Sequence, residues 1–423
     1  MDSFTSEKIT DEFNANRVQR AYSLMRGPLN IMWDVTNKCN LNCKHCYNRS
    51  GKGRLYNDLD DTEMINVIPG IIALSPRVVC FCGGEPLLRY NVLPQLAQQL
   101  SEAGITVNMV TNGFLLDDEK IKTLRSSGIS GFQISLDSAH EETHDYFRGF
   151  KGAYAGATRA IDLLLKRSIM PDVTFIPTRI NYKDIGEVVE YLYFRGIRRL
   201  GSMPFIPIGR GKENYDELTL LDEELLDFYY TLERLRMMYP DFKIEYEDPL
   251  EHITLFLNNT VARNAVIEIR SNGDVMVSSY LPITYGNIRY HRIDTLWDSG
   301  LKEIWRDEHV RSIAEKIKTV DDFTELHIQP WNQEDVDVFH SSKTLVYKGY
   351  KRDKIEMRGD RAEMSDFPLY LNTVAGGLDR RDQTIGGFSF VVKIYALPVV
   401  EIIGQLLYLL GRYGFNAQFS DCL

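Results

Sequence analysis

The chain has 423 residues, 44% of them hydrophobic, and a formal net charge of −10; it holds enough apolar material for a large core and more than one domain. The negative balance argues against a nucleic-acid surface, where a basic stripe is expected. The longest apolar region, Phe388 to Leu410, is interrupted by Lys393, Pro398, Glu401 and Gln405, which excludes a membrane span there.

Residues 1 to 28 are polar with scattered apolar positions, and read as a helical segment without a charged-then-apolar leader. A cytoplasmic protein with no membrane or nucleic-acid partner is therefore expected. Leu29 to Val35 forms an apolar strand-like run that leads into Cys39-Asn40-Leu41-Asn42-Cys43-Lys44-His45-Cys46. Three thiolates on one short loop can hold three irons of a four-iron cluster and leave the fourth open. The other reading of the loop is a closed zinc site with His45 as fourth ligand. Against zinc stands the position of the loop directly after a strand, where a parallel barrel exposes its functional turns. Disulfides are not expected, because no secretory leader precedes the loop and only Cys80, Cys82 and Cys422 remain as partners.

Further along, Arg77 to Phe81 reads as a buried strand running into Gly83-Gly84-Glu85-Pro86-Leu87, where two glycines let backbone approach a ligand. Thr106 to Val110 gives a strand ending in Thr111-Asn112-Gly113. Gly131 to Leu136 gives another, ending in Asp137-Ser138 and followed by His140, His144, Asp145 and Arg148-Gly149. Asp172 to Pro177 leads to Asn181, and Ser202 to Ile208 leads to Gly209-Arg210-Gly211-Lys212, whose glycine and basic residues suit an adenosine or an anionic substrate group. Short apolar runs alternate with helical stretches from about residue 29 to residue 205, which argues for a parallel α/β architecture with ligands at the strand ends. Ser135 and Asp137 as helix caps, and Arg148 as a solvated helix residue, are the structural alternatives.

The cysteine spacing, the GGEP sequence and the Ile134-Ser135-Leu136-Asp137-Ser138 stretch together resemble the radical S-adenosylmethionine (SAM) superfamily. That resemblance implies a partial (β/α)6 TIM-type barrel over residues 29–212 and one 4Fe-4S cluster on Cys39, Cys43 and Cys46, with SAM on the free iron. It implies that Gly83, Gly84 and Glu85 receive the SAM amino group. Ser135 would contact ribose or carboxylate and Arg148 carboxylate, with Asp137 beside them. The reduced cluster would cleave SAM to methionine and a 5′-deoxyadenosyl radical that takes a hydrogen atom from substrate, with electrons from a donor such as flavodoxin or ferredoxin.

Residues 213–258 read as a helical linker, since Leu218 to Tyr239 has helical periodicity and an acidic start. Val266 to Val277 reads as a hairpin around Asn272-Gly273. With Gly286-Asn287-Ile288, Leu296-Trp297 and Ile304-Trp305 it resembles a SPASM or twitch α+β domain over 259–320. Such domains carry cysteines for auxiliary clusters, yet Ser278 and Ser279 follow this hairpin and no cysteine occurs between Cys82 and Cys422. A cluster-free relic is expected, and with it either electron return to the single cluster or a redox-neutral outcome such as epimerisation. Cys422 is then a candidate hydrogen-atom donor, whereas Cys80 and Cys82 share one strand face as small buried thiols.

Residues 321–423 read as a further α+β extension, with strands in Lys343 to Met357 and Phe388 to Ala396 and a helix over Pro398 to Tyr413. Such an appendage suits strand addition to a peptide, a dimer contact or a lid. The expected function is a radical SAM enzyme that matures a ribosomal precursor peptide, by cross-linking or epimerisation. The alternatives are a radical SAM enzyme on a small molecule (sugar, nucleoside or antibiotic precursor) and a non-enzymatic iron-sulfur or zinc module.

Overall fold

The computed structural model describes residues 24–51, 57–258 and 263–326, with the backbone of a short strand at Val336–Asp337. All belong to one compact unit spanning Met1–Lys354, and Ile355–Leu423 form a second. That second unit, with Cys422 and the elements expected over 343–413, lies outside the described residues.

The strands expected from residue 29 onward form with helices between them. They are β1 (Asn30–Asp34), β2 (Val78–Cys82), β3 (Thr106–Thr111), β4 (Ile129–Ser135), β5 (Asp172–Phe175) and β6 (Arg199–Ser202). The helices between them are α1 (Asp61–Leu74), α2 (Leu93–Glu102), α3 (Asp118–Ser126), α4 (Glu141–Arg148), α5 (Ala153–Lys166) and α6 (Ile185–Phe194). Each strand pairs in parallel with its sequence neighbour. That register needs a crossover on one face of the sheet, which the amphipathic helices supply. Along β1, Ile31 and Trp33 are fully buried against the helices, while Asn30 and Met32 are half-buried on the opposite, inner face.

The segment expected as a linker does more than connect. Its helix α7 (Asp222–Met238) is a crossover into β7 (Lys243–Tyr246), which lies parallel to β6, and α8 (Pro249–Asn258) follows. The hairpin β8 (Val266–Ile269) and β9 (Asp274–Met276) forms where expected, and Gly273 takes a left-handed φ of 89° at its turn. β10 (Ile283–Asn287) adds to β9, and β11 (Val336–Asp337) to β10. The whole sheet runs β11-β10-β9-β8-β1-β2-β3-β4-β5-β6-β7.

The hairpin thus continues the barrel wall, because β8 pairs in parallel with β1 from Asn30↔Val266 to Trp33↔Ile269. Behind it α9 (Ile293–Asp298) and α10 (Glu308–Ala314) bury Trp297 and Trp305; the Trp305 ring stacks on Phe256 at 5.0 Å and its Nε1 donates to Asn264 Oδ1 at 3.2 Å. Among the described residues, no helix is long and apolar enough to cross a membrane.

Candidate functional site

The loop after β1 is clamped from three sides at the C-terminal ends of the strands. After β2, the Gly84 N–H donates to Thr36 O at 2.8 Å and the Glu85 N–H to Lys38 O at 2.9 Å. Backbone comes so close there that a Cβ on Gly84 would stand 2.1 Å from Lys38 O, and one on Gly83, whose φ is 120°, would stand 2.3 Å from Thr36 O. These glycines bring backbone close, as expected, but the partner in contact is the cysteine loop itself. At the end of α4, Arg148 O accepts from the Asn42 N–H at 3.2 Å and Phe147 O from the Lys44 N–H at 2.9 Å. After β6, the Arg210 N–H donates to Cys46 O at 2.9 Å, and its guanidinium donates to Cys43 O at 3.0 Å and to Ser50 O. Arg210, expected to meet an anionic ligand, is instead spent on the loop.

The clamped loop groups Cys39, Cys43 and Cys46 against Leu41, Phe150 and Ala153. Each sulfur faces an N–H donor. Leu41 N lies 3.4 Å from Cys39 Sγ, Ser50 N lies 3.3 Å from Cys46 Sγ, and Arg148 Nη1 lies 3.7 Å from Cys43 Sγ. Burial and the neighbouring Cys43 push the Cys39 thiol up to about 12, and burial raises Cys43 against the opposing pull of Arg148. As free thiols these two stay protonated, and a metal cluster would displace those protons. Donors aimed at each sulfur suit thiolates bound to iron, whose potential such hydrogen bonds tune. The three cysteines therefore fit a 4Fe-4S cluster. Among the described residues, no group of His, Cys, Asp or Glu side chains gathers around a position for a metal ion, and a cluster that places each thiolate on its own iron does not need such convergence. The His45 ring stacks on Phe147 at 4.2 Å with planes 9° apart, so it packs beside the loop.

Glu85 on the Cys39 side and the Asp137–Arg148 pair on the Cys43 side flank the loop, each largely consumed by its own neighbours. Glu85 is fully buried; Oε1 accepts from Leu87 N at 3.0 Å and Thr111 Oγ1 at 2.7 Å, and Oε2 from Asn112 N at 3.0 Å. Burial raises its carboxyl and these donors oppose the rise. Asp137, also fully buried, accepts from Arg148 Nε at 2.6 Å and Nη2 at 2.5 Å through Oδ2, and from Ile176 N at 3.0 Å through Oδ1. Asp137 is thus no exposed helix cap, and Arg148 is no solvated helix residue. Ser135 is half-buried at the end of β4, opposite Thr174 on β5.

Sequence reasoning missed several supports. Asn112 Nδ2 donates to Asn40 Oδ1 at 2.9 Å and lies 3.9 Å from Cys39 Sγ. Asp58 accepts from Thr36 Oγ1 at 2.7 Å, and Asn181 Nδ2 donates to Asp137 O at 2.8 Å. It also missed two inner-face carboxylates, Asp34 on β1 and Glu268 on β8, whose signal was a charge inside an otherwise apolar strand run. The inner face beneath the loop is otherwise lined by half-buried Met32, Cys80, Asn108, Gln133, Ser135 and Thr174. Cys80 and Cys82 do share a face, with their sulfurs 3.5 Å apart. A separate cavity of about 400 Å³ borders Asn42, Lys44, Arg49 and Arg210. Its cations are already engaged, Lys44 with Glu217 and Arg49 with Glu213.

Comparison with known proteins follows the same lines. The Radical SAM superfamily pattern matches residues 33–192. An AdoMet-dependent heme synthase of Methanosarcina barkeri is 28% identical over 302 residues, 67% of this chain and 85% of the relative. The sporulation killing factor maturation protein SkfB of Bacillus subtilis is 28% identical over 199 residues, 47% of this chain and 48% of the relative. Among solved structures, Streptococcus suis SuiB bound to precursor peptide SuiA overlays with a TM-score of 0.55 at 16% identity, covering 75% of this chain and 74% of that one; that likeness is one of fold.

Proposed function

We propose that this chain, which its domain at residues 33–192 makes an enzyme of the radical SAM superfamily, modifies a precursor peptide at a side chain or α-carbon. The observation that carries the chemistry is the clamped loop, with three thiols that each face an N–H donor at the strand-end mouth. When bound there, a 4Fe-4S cluster and SAM supply reductive cleavage of SAM and a 5′-deoxyadenosyl radical that abstracts hydrogen.

The chain's own residues hold and shield. Cys39, Cys43 and Cys46 would carry the cluster, and the Arg148 guanidinium would balance negative charge at the Cys43 sulfur. Glu85 fixes the end of β3 by accepting from Thr111 and Asn112, and Asp137 fixes Arg148, so both act as positioning residues in this reading. Ser135 and the Gly83-Gly84 backbone form the rim left for SAM. His45 stacked on Phe147 and the apolar packing of Leu41 and Ala153 keep water from the sulfurs. Electrons would come from a small reduced protein such as flavodoxin or ferredoxin. The hydrogen donor or acceptor that ends the reaction lies outside these assignments, and Cys422 remains the candidate named from sequence.

Similarity to a peptide-maturation protein and a fold shared with an enzyme crystallised on its precursor peptide support the peptide reading. Similarity to a heme synthase over a longer stretch favours a second reading, a small-molecule substrate. The test is co-expression with the short open reading frames neighbouring the gene, followed by peptide mass spectrometry. A mass change that disappears in Cys43→Ala supports the peptide reading. Unchanged peptides, together with 5′-deoxyadenosine formation stimulated by a haem precursor, would refute it.

A further inference from the structure

We infer that Asp34 and Glu268 form an anchor on the inner wall for a cationic group of the substrate, a lysine- or arginine-type side chain. The inference rests on the peptide reading for its substrate class and on the following geometry for its site.

Strand register places the two carboxylates on one face. Glu268 on β8 stands opposite Met32 on β1, Met32 stands opposite Cys80 on β2, and Asp34 stands opposite Cys82. Asp34 is two residues from Met32 and so shares its face. Both carboxylates are buried, at 2% exposure for Asp34 and 1% for Glu268. Neither oxygen of Glu268 has a partner of full hydrogen-bond geometry; the Ser279 hydroxyl lies near enough to pull the carboxyl down, against the larger effect of burial. Asp34 accepts from Asn48 Nδ2 at 2.5 Å through Oδ2, while its Oδ1 has no partner.

Buried polar atoms in native proteins are nearly always paired, and an unpaired carboxylate at such depth is costly. Three unpartnered acceptor oxygens on one wall therefore suit donors that arrive with a ligand. Arg270, on the same stretch as Glu268, offers one positive charge against two negative ones, and its attraction for both is outweighed by burial. Asp58, the third acid near Asp34, is committed to Thr36 and to the Asn37 N–H. Burial and mutual repulsion favour the neutral carboxyls in the empty wall, so an arriving ammonium or guanidinium is favoured by supplying the opposite charge that lets them ionise, whereas a carboxylate-bearing ligand gains nothing there. Asn48 lies two residues after Cys46, so the anchor sits directly against the cysteine loop.

The experiment is a ligand-observed NMR titration of the reconstituted full chain with SAM, using three probes: acetyl-Ala-Lys-Ala-amide, its norleucine counterpart, and n-butylammonium. The lysine peptide and butylammonium should bind, and the norleucine peptide about 10- to 100-fold more weakly, the range of a charge-assisted hydrogen bond. Glu268→Gln should bring the lysine peptide down to the norleucine level while raising the unfolding midpoint of the free protein, because it deletes an unpaired buried carboxyl. Asp34→Asn provides the same reading should Glu268→Gln fail to fold, and iron content verifies either variant. Equal binding of the two peptides, unaltered binding by the variants, or no binding of any probe overturns the anchor. Butylammonium binding that depends on Glu268, with neither peptide bound, keeps the anchor and removes the peptide.

Discussion

The pair Asp137 and Arg148 offers a quantitative check on whether the rim is held as described. Asp137 is fully buried and the Arg148 side chain is 9% exposed, joined by contacts at 2.6 and 2.5 Å. Asp137→Asn keeps an acceptor for the Ile176 N–H but strips the charge opposite a buried guanidinium. Arg148→Met leaves the carboxylate alone. Breaking a buried pair from either side costs about 3–5 kcal/mol, whereas replacing both partners with neutral groups is often close to neutral. Each single variant should therefore lose about 3 kcal/mol and the double variant about 1 kcal/mol, so that the losses fall short of additivity by about 5 kcal/mol. At about 2–4 °C per kcal/mol for a domain of this size, each single variant should melt roughly 6–12 °C lower. The assay is thermal unfolding of the iron-free protein followed by tryptophan fluorescence, which keeps cluster loss out of the reading. Single-variant losses that simply add in the double variant would refute the argument, since they would mean that the two side chains are stabilised by separate surroundings.

Other expectations follow from the same contacts. Cys39→Ala, Cys43→Ala and Cys46→Ala should each abolish SAM cleavage, and retention in any one would remove that residue from the ligand set. Gly84→Ala must push a methyl into Lys38 O, so it should cost about 1–3 kcal/mol, the range for forced overpacking, and lower iron occupancy; full occupancy at unchanged stability would contradict the clamp. Burial raises the Glu268 carboxyl above its ordinary value, with Arg270 opposing. Its stabilising contribution is therefore complete below the unfolded value of about 4.3 and lost as pH rises through the folded value. The unfolding midpoint of Glu268→Gln should gain on the wild type as pH rises from about 4 towards neutrality, and a gap independent of pH would contradict it.

The site was legible where chemistry is local in sequence. Cysteine spacing on one loop, glycines before Glu85, and the Asp137-Ser138 strand end all lie at the mouth. Residue types did not reveal how many partners each side chain has. Residue type marks Glu85 and Arg148 as able to bind SAM, and does not reveal the three neighbours that also hold Glu85 or the Asp137 and Cys43 contacts of Arg148. β7 escaped notice because Lys243-Ile244-Glu245-Tyr246 buries only Ile244 at the end of the sheet, leaving almost no apolar periodicity. Residue type makes Cys80 and Cys82 small hydrophobes, and the register that turns them towards the inner face is a property of the whole sheet.

The cysteine-free hairpin also changes meaning once β8 is placed beside β1. A relic domain kept as a neighbouring scaffold ought to be dispensable for the cluster loop, whereas a strand paired with β1 ought not to be. β1 delivers the loop and lies between β2 and β8. Ending the chain after residue 258 would leave β1 as an open edge and remove Ile267 and Ile269, the β8 partners of buried Ile31 and Trp33. In all it would discard Ile267, Ile269, Val275, Met276, Trp297 and Trp305, each at most 1% exposed. At about 1.5–3 kcal/mol per buried side chain, that loss exceeds roughly 9 kcal/mol, comparable with the whole stability of a domain. The truncated protein should fail to retain iron after anaerobic reconstitution and should show no cooperative unfolding. A soluble 1–258 fragment that binds about four irons per chain, the content of one four-iron cluster, would show that the loop is held by β2, α4 and β6 alone, and that β8 serves only the inner wall.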